Sequence, residues 1–208
     1  RRVLFRSGEN MSKKKYIWGW ISFAVFLGVL LLVSTDYILW FDQTVFAIFK
    51  NFPFLEHFDF IGTELVIGTV SILLILWLAL KERNFTGIIF TVLAIGGGNY
   101  INKFFKAVVE RDRPEALHGE EGFSFPSGHA MVGLIFLLVL AFFISKMITS
   151  ANGKLAVYVT AISLALLTGF SRIPDEAHYP SDVLAGFLLG FSYYILCEFV
   201  YMKLSTKK

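Results

Sequence analysis

Apolar residues in this chain gather into long runs separated by short polar turns, and the runs lack the strict alternation of a half-buried strand. A helix needs about 20 apolar residues to cross a bilayer. Six runs approach that length: Tyr16 to Ser34, Glu64 to Leu80, Phe85 to about Phe105, Ala130 to Ile148, Leu155 to Phe170 and Val183 to Tyr201. Open sheet edges cannot face lipid, which favours helices throughout. The pattern therefore predicts an all-α integral membrane protein with six transmembrane helices. Asp36 to Gly62 is aromatic but dotted with Asp42, Lys50, Asn51, Pro53, Glu56 and Asp59. We expect a loop there with a short helix lying at the interface, between the first and second spans. The third run is interrupted by Gly96-Gly97-Gly98-Asn99, which serves either close packing or a local helix break. Gly186 and Gly190 form a GxxxG in the sixth, a face that lets another backbone approach.

Composition narrows the class. The 208 residues are 56% hydrophobic and 17% aromatic, with 23 Phe, and the mean hydropathy is +0.65. That excludes an ordinary soluble domain. One cysteine, Cys197, excludes an internal disulfide and a cysteine-based zinc site; its apolar surroundings read as a buried, inert thiol. Residues 1–10, RRVLFRSGEN, do not match the rest of the chain, whereas Met11 followed by Ser12 and Lys13 to Lys15 reads as a natural start. We expect 1–10 to be an added remnant and 11–208 to form one membrane domain, with no cleavable signal peptide.

Charge placement sets the orientation. Lys13 to Lys15, the Lys81/Arg83 turn, the Lys146/Lys154 turn and the Lys203/Lys207/Lys208 tail fall on one side, and loops 35–63, 106–129 and 171–182, rich in Asp and Glu, on the other. The positive-inside rule puts both termini in the cytoplasm and these loops outside, at the plasma membrane. Lys103, Lys106, Arg111, Arg113 and Arg172 nonetheless cluster at helix ends on the outer side. Cations where the rule disfavours them point to an anionic ligand.

Three polar clusters share that side: KAVVERDRP (Lys106 to Pro114), PSGH (Pro126 to His129) and SRIPDEAHYPSD (Ser171 to Asp182). Lys106, Arg113 and Arg172 are fixed cations, and Arg grips a phosphate through two parallel hydrogen bonds. Ser127 and Gly128 stand where a helix begins and offers free N–H groups to an anion. His129 and His178 carry or donate a proton near neutral pH. Asp182, four residues after His178, accepts the N–H of one ring nitrogen and leaves the other as a nucleophile. Pro180 fits a first helical turn. These parts suit phosphoryl transfer without a metal: His178 attacks phosphorus, His129 protonates the leaving oxygen and then activates water, and the cations hold the equatorial oxygens. Taken singly each part has a structural reading, as a helix cap, a snorkelling anchor or a packing hydrogen bond. A metal site on His129, His178 and Asp182 is opposed by the surrounding cations. His57 and His118 read as solvated loop residues, and Glu110, Asp112, Glu115, Glu120 and Glu121 as a solvated loop face.

K-x6-R-P (Lys106, Arg113, Pro114), P-S-G-H (Pro126 to His129) and S-R-x5-H-x3-D (Ser171, Arg172, His178, Asp182) resemble the three signatures of the type-2 phosphatidic acid phosphatase family of membrane lipid phosphatases. The resemblance implies metal-independent dephosphorylation of a lipid phosphate without a cofactor. It implies His178 as nucleophile, Asp182 as its partner and His129 as general acid, with Lys106, Arg113, Ser127, Gly128 and Arg172 on the phosphate. Phosphatidylglycerophosphate and undecaprenyl diphosphate are the substrates it suggests. The insert Ile173 to Ala177 is acidic, which bears on headgroup preference rather than chemistry. The expected partners are the substrate and membrane lipids, with no nucleic acid and no obligate protein. Two other classes stay open: a lipid or polyisoprenoid-phosphate transporter using the same cations, and a vanadate-dependent haloperoxidase.

Overall fold

The computed structural model describes residues 2–114 and 122–205, with side chains from Lys14 onward. Among the described residues every regular element is helical: α1 (Arg2–Leu32), α2 (Asp36–Phe49), a 3-10 helix (Pro53–Gly62), α3 (Glu64–Leu80), α4 (Phe85–Thr91), a π turn (Val92–Gly96), α5 (Gly97–Val109), α6 (Gly128–Met147), α7 (Ala151–Phe170) and α8 (Pro180–Ser205). Five stretches are long and apolar enough to cross a membrane: Lys14–Leu32, Phe85–Val109, Gly128–Met147, Ala151–Phe170 and Pro180–Ser205. α3, with 17 residues, makes a sixth if it is joined to the 3-10 helix before it across a bend of 42°. Exposed Trp18 and Trp20 near one end of the apolar stretch Lys14–Leu32, and Tyr37 and Trp40 beyond the other, suit two headgroup levels.

α6 is the centre. It is apolar on every side and buried without a break from Ala130 to Val139, as a helix surrounded by others must be. α7 and α8 pack on it, and α1 packs on α8. The GxxxG of α8 is the face that makes this possible. A Cβ on Gly186 would come 2.7 Å from Ser127 O, and one on Gly190 2.8 Å from Met131 O. The two backbones therefore touch, and Ser127 N donates to Asp182 O at 3.0 Å. The same packing that fills the core thus brings the start of α6 against the start of α8.

The glycine run of the third stretch packs closely, and the helix is distorted ahead of it rather than broken. The chain widens into a π turn at Val92–Gly96 without leaving the helix, and Tyr193 Oη donates to Leu93 O at 2.8 Å, where the regular ladder is disturbed. Gly98 lies so close to α6 that a Cβ would meet Ile135 Cδ1 at 2.7 Å.

Asp36 to Gly62 is more ordered than a loop with one short helix. α2 carries Ile38, Asp42, Phe46 and Phe49 on one face; Phe46 sits 6.0 Å from Tyr179 and Phe49 5.4 Å from Phe170, ring centre to ring centre. The charged Asp42 disguises that face in the sequence because it is buried with the apolar residues.

Candidate active site

Three helix ends converge. Ser127 caps α6, its Oγ accepting from Ala130 N at 3.5 Å, so Gly128 and His129 occupy the first turn. The cis Phe125-Pro126 bond leads into it. Asn102 of α5 donates to Pro126 O at 3.0 Å and ties α5 to the same turn. One turn further on, Lys106 Nζ donates to Phe123 O, and to Ser124 O at 3.4 Å. Arg113 donates from Nε to Gly122 O at 3.1 Å and from Nη1 to Ala177 O at 2.8 Å, joining the loop after α5 to the loop before α8. Arg172, 4% exposed, follows the end of α7 and turns inward.

His178 is buried, and its backbone N donates to Arg172 O at 3.1 Å. Its Nδ1 lies 3.7 Å from Asp182 Oδ2, too far for a hydrogen bond in this state but close enough to tighten around a ligand. Burial lowers the His178 pKa to about 4, against the opposing pull of Asp182 and with Lys106 and Arg113 adding to the drop. The ring is therefore neutral at physiological pH, with a lone pair to offer.

Asp182 is held in place by more than His178. Its Oδ2 accepts from Tyr179 N at 2.9 Å and its Oδ1 from Arg111 Nη1 at 2.6 Å. Arg111 also reaches Ser181 Oγ at 2.8 Å and Asp42 Oδ2 at 2.7 Å, and lies over the Tyr179 ring at 3.9 Å. Asp42 closes the circuit, accepting from Ser181 N and Ser181 Oγ, each at 2.8 Å. Burial raises the Asp42 pKa, against the hydrogen bonds of Arg111 and Ser181.

His129 faces a different carboxylate: its Nε2 is 3.0 Å from Asp59 Oδ1. The same oxygen lies 2.5 Å from Arg172 Nη1, which also reaches Asp175 Oδ2 at 3.0 Å. The acidic insert is thus engaged within the protein, Asp175 by Arg172 and Glu176 by Lys50 at 3.1 Å.

All eight residues expected on the site, Lys106, Arg113, Ser127, Gly128, His129, Arg172, His178 and Asp182, lie on these converging ends. Sequence reasoning missed Asp42, Asp59 and Ser181, and counted Arg111 only among the outer-side cations that point to an anionic ligand. The one usable signal was a carboxylate at Asp42 on the apolar stripe of Ile38 and Phe46, spaced four residues either way. His57, Glu110 and Asp112 are exposed, as expected of solvated positions, while Glu115, His118, Glu120 and Glu121 lie outside the described residues.

A sequence model of the PAP2 superfamily matches residues 85–204. The chain is 37% identical to phosphatidylglycerophosphatase B of Bacillus subtilis (strain 168) over 110 residues, 51% of this chain and 54% of that protein. It is 31% identical to a lipid A 1-phosphatase of Rhizobium etli over 127 residues, 55% of this chain and 50% of that protein. The chain thus spans about half the length of these curated relatives. Its fold is similar to the crystal structure of a transmembrane PAP2 type phosphatidylglycerolphosphate phosphatase from Bacillus subtilis, with a TM-score of 0.80 and 26% identity, covering 89% of this chain and 96% of that one.

Proposed function

The chain belongs to the PAP2 superfamily, and from that premise we propose that it is a metal-independent phosphatase for a phosphate or diphosphate carried on a membrane lipid. The observation that carries the reading is His178: a buried, neutral imidazole backed by Asp182, with Lys106, Arg113 and Arg172 on the surrounding helix ends. His178 Nε2 forms a bond to phosphorus as the bond to the lipid oxygen breaks. His129 gives that oxygen its proton. Lys106, Arg113, Arg172 and the N–H groups at the start of α6 hold the equatorial oxygens, so charge is met by fixed dipoles and cations. His129 then takes a proton from water as it attacks, the N–P bond breaks and inorganic phosphate leaves. Asp182 keeps Nδ1 protonated throughout.

Phosphatidylglycerophosphate is the first substrate to test, supported by the names of the two Bacillus relatives, and undecaprenyl diphosphate the second. The residues 11–208 act as one domain in this reading. The lysines at the opposite end of the bundle support a site on the outer face with both termini in the cytoplasm.

The test is phosphate release by purified protein in excess EDTA from phosphatidylglycerophosphate, undecaprenyl diphosphate and phosphatidic acid, beside His178→Ala. Release that persists with EDTA and vanishes in the variant is expected. Acid-labile label trapped on His178 from a radioactive headgroup would identify the intermediate. Release that EDTA abolishes, or that survives the substitution, overturns the mechanism.

A further inference from the structure

Asp59 has no part in the mechanism above, yet it touches two groups that do. Its Oδ1 stands 3.0 Å from Nε2 of His129, on α6, at ion-pair distance but not aligned as a hydrogen bond in this state, and 2.5 Å from Nη1 of Arg172, beyond the end of α7. Asp59 itself comes from a third element, the 3-10 helix Pro53–Gly62. Gly62, one 3-10 turn later, faces the same imidazole. A Cβ there would fall on His129 Cδ2, 2.8 Å from Cγ and 2.8 Å from Thr168 Cγ2. The short helix therefore does two things to one ring: it closes against the ring's flank and sets a carboxylate at one nitrogen.

A ring nitrogen that turns its N–H onto a neighbouring carboxylate, as a small tightening around a ligand would allow here, has its tautomer and the direction of its other nitrogen settled. We propose that Asp59 is a positioning residue for the general acid: it holds His129 Nε2–H, leaves Nδ1 to face the leaving oxygen, and locks that ring to the phosphate-binding Arg172. The inference rests on the phosphatase reading. Its proton balance is simple. The ring enters the step with both nitrogens protonated. Nδ1–H protonates the leaving oxygen, the ring is left neutral with Nε2–H on Asp59, and Nδ1 then accepts the proton of the attacking water.

The test separates leaving groups. Purified wild type, Asp59→Ala, Asp59→Asn and His178→Ala are assayed for kcat/KM on phenyl phosphate, whose leaving group needs a proton, and on p-nitrophenyl phosphate, whose leaving group does not. Asp59→Ala is expected to lose about 100-fold on phenyl phosphate and less than about tenfold on p-nitrophenyl phosphate. Asp59→Asn, whose amide oxygen still accepts from Nε2–H, is expected to recover most of the phenyl phosphate activity. The ratio of the two substrates is internal to each variant, so a smaller folded fraction, which scales both rates, does not imitate the result. Equal losses on both esters would overturn the proposal and leave Asp59 a structural anchor of Arg172. A gain on both would overturn it too, making the carboxylate a competitor for the phosphate position. Absence of His178-dependent hydrolysis in the wild type would instead remove the phosphatase reading, and the inference with it.

Discussion

The two ends of the helix bundle treat charge in opposite ways. Where α6 begins, Arg111 lies between Asp42 and Asp182, two carboxylates with no exposure at all, and donates to three oxygens at 2.6 to 2.8 Å. Where α6 ends, Lys15 meets Glu198 at 2.6 Å and Lys146 donates to the Tyr201 hydroxyl at 2.7 Å, each as a separate pair. The ammonium groups of those lysines also lie over aromatic rings, Lys15 over Tyr16 and Lys146 over Phe142 and Tyr201. The difference is one of purpose. Desolvating an arginine and two carboxylates gains little stability over apolar residues of the same volume. What the buried circuit supplies is a fixed position for Asp182, and through it for His178.

Removing Arg111 is the strongest way to break the contrast. Arg111→Ala leaves Asp42 and Asp182 buried without their cation, a change that costs about 3 kcal/mol or more in comparable buried pairs. Thermal unfolding in detergent should show that loss. Activity on phosphatidylglycerophosphate should fall about 100-fold, the size expected when the group orienting a catalytic ligand is removed. Arg111→Lys should rescue neither, because one ammonium cannot span Asp42, Ser181 and Asp182 as the planar fork does. Full activity in Arg111→Ala would mean that Asp182 needs no such clamp.

The contrast also explains what could be read from the chain beforehand. The apolar runs located the five stretches long enough to span, and α3 was bounded at Glu64 and Leu80 in the sequence as in the structure. His178 and Asp182 were visible because they are four residues apart, with Pro180 opening the helix between them. The GxxxG was visible for the same local reason. The circuit around Asp182 was not, because its bonds join Arg111 to Asp42 across 69 positions and Ser181 to Asp42 across 139. Arg172 and Asp59 are 113 apart. No local spacing marks such pairs. Asp42 and Asp59 also sit in a stretch whose scattered charges made it read as a loop with a short interfacial helix.

A smaller effect sharpens the comparison through pH. Burial holds the His178 pKa at about 4, from an ordinary 6.5. In the proposed mechanism the attacking ring is neutral, so kcat/KM should fall about tenfold for each pH unit below that value and not near 6.5. The sign for stability comes from the same shift. The unfolded chain takes up this proton near 6.5 and the folded one near 4, so His178 lowers stability progressively as pH falls through that window and adds no further loss below it. A pH titration of the His178 ring by NMR checks both statements. Arg113→Gln removes one of the cations that depress the value and should move the midpoint upward. A midpoint near 6.5 in the unaltered protein would mean that water reaches the ring, and that this end is no drier than the other.

The smallest effect belongs to the opposite end. Lys15→Ala separates Glu198 from its partner; the lysine side chain is 37% exposed and that of the glutamate 9%. Partly exposed pairs of this kind contribute up to about 1 kcal/mol, which for a chain of this size moves the unfolding midpoint by about 4 °C at most. Activity should stay within about twofold of wild type, since this pair, at the far end of the bundle, holds nothing that reacts. Glu198→Gln should match it, because either change removes the same isolated contact. A loss from Lys15→Ala approaching that of Arg111→Ala would show that α1 and α8 transmit strain to the start of α6. The division between a rigid, buried end and a tolerant, hydrated one would then have to be abandoned.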